Sequence, residues 1–74
     1  MYAVHMLGTK AAGNRLRVLR LERGLSPEQF GARVGLSGMT IRRLEDGRQK
    51  RVQPRTMFRV PQEVGVPVGE LFDI

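Results

Sequence analysis

Apolar residues recur three or four positions apart along most of this chain, which is the spacing of one face of an α-helix. Leu16 and Leu19 mark the apolar side of a first helix, predicted from residue 9 or 10 to residue 23. Gly24 follows directly and is placed to end this helix in the left-handed conformation. This spacing predicts a first helix with one buried side and one polar side.

The second helix has the clearest beginning. Ser26 is a favourable N-cap, Pro27 suits the first helical position, and Gln29 completes a Ser-x-x-Gln capping box. Gly35 ends the helix after about two turns. The spacing predicts a short helix followed at once by a tight turn.

A third short helix follows that turn. Ser37 is its predicted N-cap, Ile41 and Leu44 lie three apart on its buried side, and Gly47 ends it. Its outward side is expected to carry two arginines and two uncharged residues, namely Gly38, Met39, Arg42 and Arg43. This helix is the most informative segment, because one side suits a core and the other suits a ligand.

Proline positions divide the rest of the chain. Pro54 opens a fourth predicted helix, Pro61 is expected to kink or split it, and Pro67 precedes a last turn or two. The apolar residues expected to face the core here are Met57, Phe58, Val64, Leu71 and Phe72. Strand signals are weak outside the first residues, so we predict a compact all-α domain of five helices over residues 9–74, after an N-terminal arm of residues 1–8.

The charge pattern points to a polyanionic partner. The 74 residues include 13 Lys and Arg against 7 Asp and Glu, a net charge of +6. Seven basic residues and two acids lie in 42–59, whereas 60–74 holds three acids and no base. Nucleic acid is therefore the expected partner, bound by one end of the molecule, and no membrane-type basic helix stands out.

The chain offers little for catalysis or metal binding. It has no cysteine and a single histidine, His5, without a second ligand at metal-binding spacing. Glu45 and Asp46 are adjacent on a helix and do not face each other, so they are no acid and base pair. The apolar start is too short for a signal peptide or a membrane span. We expect no cofactor and no enzymatic activity, and a cytoplasmic location.

Several residues and two short stretches of the chain resemble a known family. The residues are Gly31, Gly35, Ile41 and Leu44, and the stretches are Leu-Glu-Asp-Gly at 44–47 and Gly-Val-Pro-Val-Gly-Glu-Leu-Phe at 65–72. They are similar to the lambda-repressor-like helix-turn-helix domains of phage Cro proteins, phage repressors and related bacterial regulators. The resemblance spans roughly residues 12–72. It implies a five-helix fold with the helix-turn-helix formed by helices 2 and 3, in which Gly31 permits close approach and Gly35 supplies positive φ.

The resemblance also implies roles for charged residues. A structural ion pair is expected between Arg20 and Glu45, orienting the first and third helices. The N-terminal half of the third helix enters the major groove in this family, so the candidate base contacts are Gly38, Met39, Arg42 and Arg43. We expect the arginines to read guanine and Met39 to touch a thymine methyl. The alternative is a solvated helix face whose arginines contact only phosphate.

Two positions depart from the family. Many phage members carry glutamine where this chain has Pro27 and Gly38, so a glutamine contact to adenine is not expected. The candidate phosphate contacts are backbone N–H groups of Glu28 and Gln29, and the side chains of Thr40, Arg48, Lys50, Arg51 and Arg55. The alternative for residues 48–51 is an ordinary soluble basic loop.

These observations predict a sequence-specific, double-stranded DNA-binding regulator, of the repressor type found in phages or prophages, acting as a homodimer on a near-palindromic operator. The surface shared by the two copies is expected in the apolar C-terminal stretch, which consists of Val64, Val66, Val68, Leu71, Phe72 and Ile74. The alternative is that most of this stretch belongs to the core of the monomer. The N-terminal arm is expected either to cover Val18 and Leu21 of the first helix or to pair with the arm of a second chain. Alternative functions are the antitoxin of a toxin pair and a protein-interaction module on the same scaffold.

Overall fold

The computed structural model of the protein describes residues 9–49 and 52–72, with side chains from residue 15 onward in these ranges. It contains five helices, α1 (Thr9–Glu22), α2 (Pro27–Val34), α3 (Gly38–Glu45), α4 (Pro54–Val64) and α5 (Val68–Leu71), and no strand in the described ranges. The all-α prediction is confirmed, and each helix lies where the sequence places it. The N-terminal arm lies outside the described residues, so its predicted role stays a prediction.

The boundaries of α2 have local causes that are visible in its sequence. Ser26 Oγ accepts a hydrogen bond from the Gln29 backbone N–H at 3.0 Å, and Gln29 Oε1 accepts one from the Ser26 N–H at 2.8 Å. The capping box is therefore confirmed. Gly35 ends the helix with φ 77°, a conformation that costs other residues steric strain, and the Leu36 N–H returns to the Gly31 carbonyl at 2.8 Å.

The N-cap of α3 is also confirmed. Ser37 Oγ accepts a hydrogen bond from the Thr40 backbone N–H at 3.1 Å. The helix itself stops at Glu45, with Asp46 as C-cap, and Gly47 adopts φ 71° in the turn beyond. The turn between α2 and α3 is thus bounded by one glycine and one serine, which sets the two helices close together.

A single core holds all five helices together. It also receives Val52 from the segment before α4, a contribution that the helical spacing does not reveal. The buried apolar residues are Leu16, Leu19, Phe30, Ile41, Leu44, Val52, Met57, Val60, Val64, Leu71 and Phe72. Every described helix therefore supplies at least one side chain to the same cluster, so α3 is held by the whole domain.

Phe58 does not face the core, so the prediction that it is buried is wrong. Its exposed fraction is 61%, whereas Met57, Val60 and Val64 are buried on α4. These three share one face at helical spacing, and Phe58 lies about 100° away from Met57 around the helix axis. Nor does Pro61 split α4, which runs unbroken from residue 54 to residue 64. The proline is fully buried and lacks only one N–H of the helix.

The apolar C-terminal stretch is mostly core. Val64, Leu71 and Phe72 are fully buried within the chain, and Val66 and Val68 pack against the core while partly buried. The expectation that this stretch is a shared surface is therefore wrong for the three buried residues, and its stated alternative holds for them. Ile74 lies outside the described residues. Among the helices that the structure describes, none combines the length and apolar character needed to cross a bilayer.

Candidate nucleic-acid interface

The turn between α2 and α3 depends on Gly31. A Cβ atom on this residue would lie 2.3 Å from the Leu36 carbonyl oxygen and 3.2 Å from the Ser37 carbonyl carbon. Because these are backbone atoms of the turn, no rotamer change would relieve the contact. The predicted need for a small residue at position 31 is confirmed, although the backbone that approaches it belongs to the turn rather than to a second helix.

The buried side of α3 is as predicted. Ile41 and Leu44 are both fully buried, and the Glu45 carboxylate is buried as well. A helix of eight residues is too short to be stable alone in water, so this burial is what keeps α3 helical. The position of the outward side is then fixed by the core.

The predicted ion pair between α1 and α3 is present. Arg20 Nε lies 2.6 Å from Glu45 Oε2 and Arg20 Nη2 lies 3.0 Å from Glu45 Oε1, so the guanidinium donates two bonds to one carboxylate. Arg20 Nη1 also donates to the Leu25 carbonyl at 2.8 Å, just before α2. The hydrogen bonds that Arg20 donates to Glu45 raise the pKa of Arg20 above its ordinary value, so Arg20 stays charged under all ordinary conditions. One arginine therefore links α1, α3 and the start of the helix-turn-helix.

The outward face of α3 is formed by Met39, Arg42, Arg43 and Asp46, all of which are exposed. Met39 has an exposed fraction of 59%, a large value for an apolar side chain. These positions fall on one side of the helix, opposite Ile41 and Leu44. The predicted arrangement of both arginines beside Met39 is confirmed, while Asp46 adds a carboxylate that the sequence analysis did not assign to this face.

Gly38 does not lie on the outward side, and that expectation is wrong. It is buried, because the side chain of Glu28 crosses from α2 and covers it. A Cβ on Gly38 would lie 2.7 Å from Glu28 Cδ and Oε2. Glu28 Oε2 in turn lies 3.2 Å from Arg42 Nη2. The carboxylate of Glu28 is thus part of this face, whereas the sequence analysis considered only its backbone N–H.

Fewer backbone N–H groups at the start of α2 can bind a phosphate than the sequence predicted. The Gln29 N–H already donates to Ser26 Oγ, so it is not available to a phosphate and the expected Gln29 contact does not hold. Thr40 is half-buried, and its hydroxyl lies 3.0 Å from Ser37 Oγ. The Glu28 N–H and Thr40 remain expectations. The helix cap consumes one of the donors that a helix N-terminus offers to an anion.

The basic residues around α3 come from several segments. Arg48 is exposed directly after α3, and Arg55 is exposed in the first turn of α4. Lys50 and Arg51 lie outside the described residues. Arg17 of α1 is a residue that the sequence analysis missed: with Arg42 it lines a cleft of about 220 Å³ between α1, the start of α2 and α3. Only the packing of α1 against α3 brings it there.

A comparison with protein families matches most of the chain to a family model. The model of a family described as a helix-turn-helix domain matches residues 11–70, which include α2, α3 and the turn between them. Neither the curated proteins nor the solved structures include a significant match to the chain. Among the described residues there is also no group of side chains suited to holding a metal ion.

Proposed function

The chain belongs to the family of helix-turn-helix domains, and we propose that it is a sequence-specific regulator that binds double-stranded DNA through the outward face of α3. The observation that carries this proposal is the two-sided character of α3. Ile41 and Leu44 hold it from behind, and Met39, Arg42 and Arg43 are exposed together in front. An α-helix presented in this way fits the major groove of B-DNA.

Base recognition is assigned to the two arginines and Met39. An arginine presents two parallel donors to guanine O6 and N7, a contact that contributes about 1–3 kcal/mol of discrimination. The methyl end of Met39 suits the C5-methyl group of thymine. The recognised sequence should therefore contain at least one G·C pair per half-site.

Affinity without sequence information is assigned to the surrounding phosphate contacts. Arg48 and Arg55 are exposed on the segments that follow α3 and begin α4. Lys50 and Arg51, which lie outside the described residues, belong to the same basic segment of the sequence. The Glu28 N–H and Thr40 complete the proposed set. Each neutralised phosphate releases counterions, so binding should weaken steeply with salt.

We further propose that the protein acts in the cytoplasm as a homodimer, in the manner of a phage or prophage repressor, and blocks transcription by occupying a near-palindromic operator. The short reach of α3 supports a dimer. An α3 of eight residues contacts only a few base pairs, whereas two copies about 34 Å apart would read successive turns of the major groove. A toxin or other protein partner is the alternative to this second copy, and co-purification with an unrelated chain would favour it.

The experiment that tests the proposal is selection of bound sequences from a random duplex pool. Wild type, Arg42→Ala and Arg43→Ala are compared, with Arg15→Ala as the matched control because Arg15 is exposed and pairs with Glu70 of α5. We expect a guanine-containing consensus with two-fold symmetry. Each of the first two variants should lose the preference at one position of each half-site, and the control should keep the whole consensus. Absence of any enriched sequence with wild type would contradict the proposal and favour a protein-interaction module.

A further inference from the structure

We propose that Glu28 is a positioning residue for DNA recognition: its carboxylate holds Arg42 so that this arginine is directed to bases in preference to phosphates. The inference rests on the proposed function and adds a determinant of specificity to it. It assigns a role to an acidic side chain on the face proposed to bind DNA, where simple attraction to DNA would not place one.

The geometry joins three residues on two helices. Glu28 is the second residue of α2, Gly38 the first of α3, and Arg42 lies about one turn further along α3. The Glu28 side chain passes over Gly38 and brings Oε2 to 3.2 Å from Arg42 Nη2. Both charged side chains remain more than half exposed, at 60% and 59%, so the pair is open to a ligand. The ion pair therefore lies on the surface assigned to the major groove.

Gly38 is what allows Glu28 to adopt this position. A Cβ on residue 38 would lie 2.7 Å from Glu28 Cδ, 2.7 Å from Oε2 and 2.8 Å from Cγ. Any other residue at position 38 would have to displace the Glu28 side chain. The residue that the family resemblance marked as a missing base reader thus has a direct consequence here: it leaves space for a carboxylate beside Arg42.

A carboxylate in this place changes which DNA group the arginine prefers. Arg42 has five N–H donors, and its Nη2 carries two of them, so one can face Glu28 while the other forms a parallel pair with a neighbouring N–H toward guanine. A phosphate carries a full negative charge and is repelled by the nearby carboxylate, whereas the base edge is uncharged. Arg43 has no ion pair among the described residues, so this restraint applies to Arg42 alone.

The test compares Glu28→Gln with Glu70→Gln, which removes the same charge from an exposed ion pair with Arg15. Affinities are measured for a duplex that carries the consensus selected by wild type from the random pool, and for an unrelated duplex of equal length at the same salt concentration. We expect Glu28→Gln to bind the unrelated duplex more tightly than Glu70→Gln does. The ratio of the two affinities should fall about tenfold, within the discrimination of one arginine and guanine contact.

A second variant tests the role of Gly38 without removing a charge. Gly38→Ala should fold normally, because the atoms that must move belong to an exposed side chain, and it should lose specificity as Glu28→Gln does. In a Glu28→Ala background the same Gly38→Ala change should have no further effect. In an Arg42→Ala background, Glu28→Gln should change the affinity ratio no more than Glu70→Gln does.

The outcomes separate this inference from the proposed function. If wild type binds both duplexes equally, the proposed function fails and the inference fails with it. If wild type discriminates, but Glu28→Gln and Gly38→Ala keep the full affinity ratio with unchanged thermal stability, the inference alone is overturned. An effect of Glu28→Gln that persists in the Arg42→Ala background would show that Glu28 does not act through Arg42.

Discussion

Removing the Glu45 carboxylate is the sharpest test of what holds α3 in place. In Glu45→Ala, the Arg20 guanidinium loses both bonds to the carboxylate, at 2.6 Å and 3.0 Å, and keeps only its bond to the Leu25 carbonyl. Arg20 has an exposed fraction of only 6%, so water reaches the unpaired charge poorly. The variant therefore leaves a buried cation without its counter-ion.

The expected loss follows from this burial. Breaking a buried ion pair by removing one partner typically costs about 3–5 kcal/mol. A domain of 74 residues has a total free energy of unfolding of about 4–11 kcal/mol. Since 1 kcal/mol shifts the Tm of such a small domain by about 4–8 °C, we expect a decrease of at least 12 °C or so. DNA binding should fall with the folded fraction.

The assay is thermal unfolding followed by far-ultraviolet circular dichroism, with Glu70→Ala as control. Glu70 belongs to an exposed pair with Arg15, for which a loss below about 1 kcal/mol is expected. The double variant Arg20→Met with Glu45→Leu should recover much of the loss, because apolar residues replace a buried pair without leaving a charge. A Tm for Glu45→Ala within about 3 °C of wild type, less than 1 kcal/mol by the same conversion, would refute the reasoning.

Three further predictions concern the turn, the helix cap and the phosphate contacts. Gly31→Ala should destabilise the domain by about 1–3 kcal/mol in urea titrations, because its Cβ would meet the Leu36 carbonyl oxygen at 2.3 Å, and a stability equal to wild type would contradict that contact. Ser26→Ala should lower the free energy of unfolding by about 1 kcal/mol because the capping box disappears, while Ser26→Asp should retain most of the stability. Equal Tm values for wild type and both variants would argue against the cap. Arg48→Gln and Arg55→Gln should each reduce the slope of log affinity against log salt on any duplex by about 0.9 per bound protomer, or about 1.8 for a dimer, with Arg15→Gln as the unchanged control, and an unaltered slope would exclude a phosphate contact.

The helix caps and the core of this domain are local properties, which is why the sequence predicts them well. The Ser26 and Ser37 caps, the left-handed Gly35 and the burial of Ile41 and Leu44 each depend on residues within a few positions of one another. Helical spacing and capping chemistry act over that same range. The Arg20 to Glu45 pair spans 25 positions, and only the family resemblance predicted it.

The errors arise where two helices decide the outcome together. Met57 and Phe58 are adjacent apolar residues, and helical spacing alone does not say which of the two meets the core until the orientation of α4 is known. Gly38 occupies a position that the family resemblance marks as outward, and its burial comes from a side chain ten residues earlier on α2. Arg17 reaches the cleft beside Arg42 only because α1 packs on α3. None of these contacts leaves a periodic signal in the chain.

The short length of α3 has a consequence for every binding measurement. Eight residues do not form a stable helix in water, so the recognition surface exists only while the domain is folded. Substitutions at Ile41, Leu44 or Glu45 must therefore reduce binding through stability, on every DNA sequence alike. Substitutions at the exposed Arg42 and Arg43 remove no buried side chain, so the free energy of unfolding should stay within about 0.5 kcal/mol of wild type. A loss of binding is evidence for base recognition only when it comes with unchanged stability and with a change in the preferred sequence.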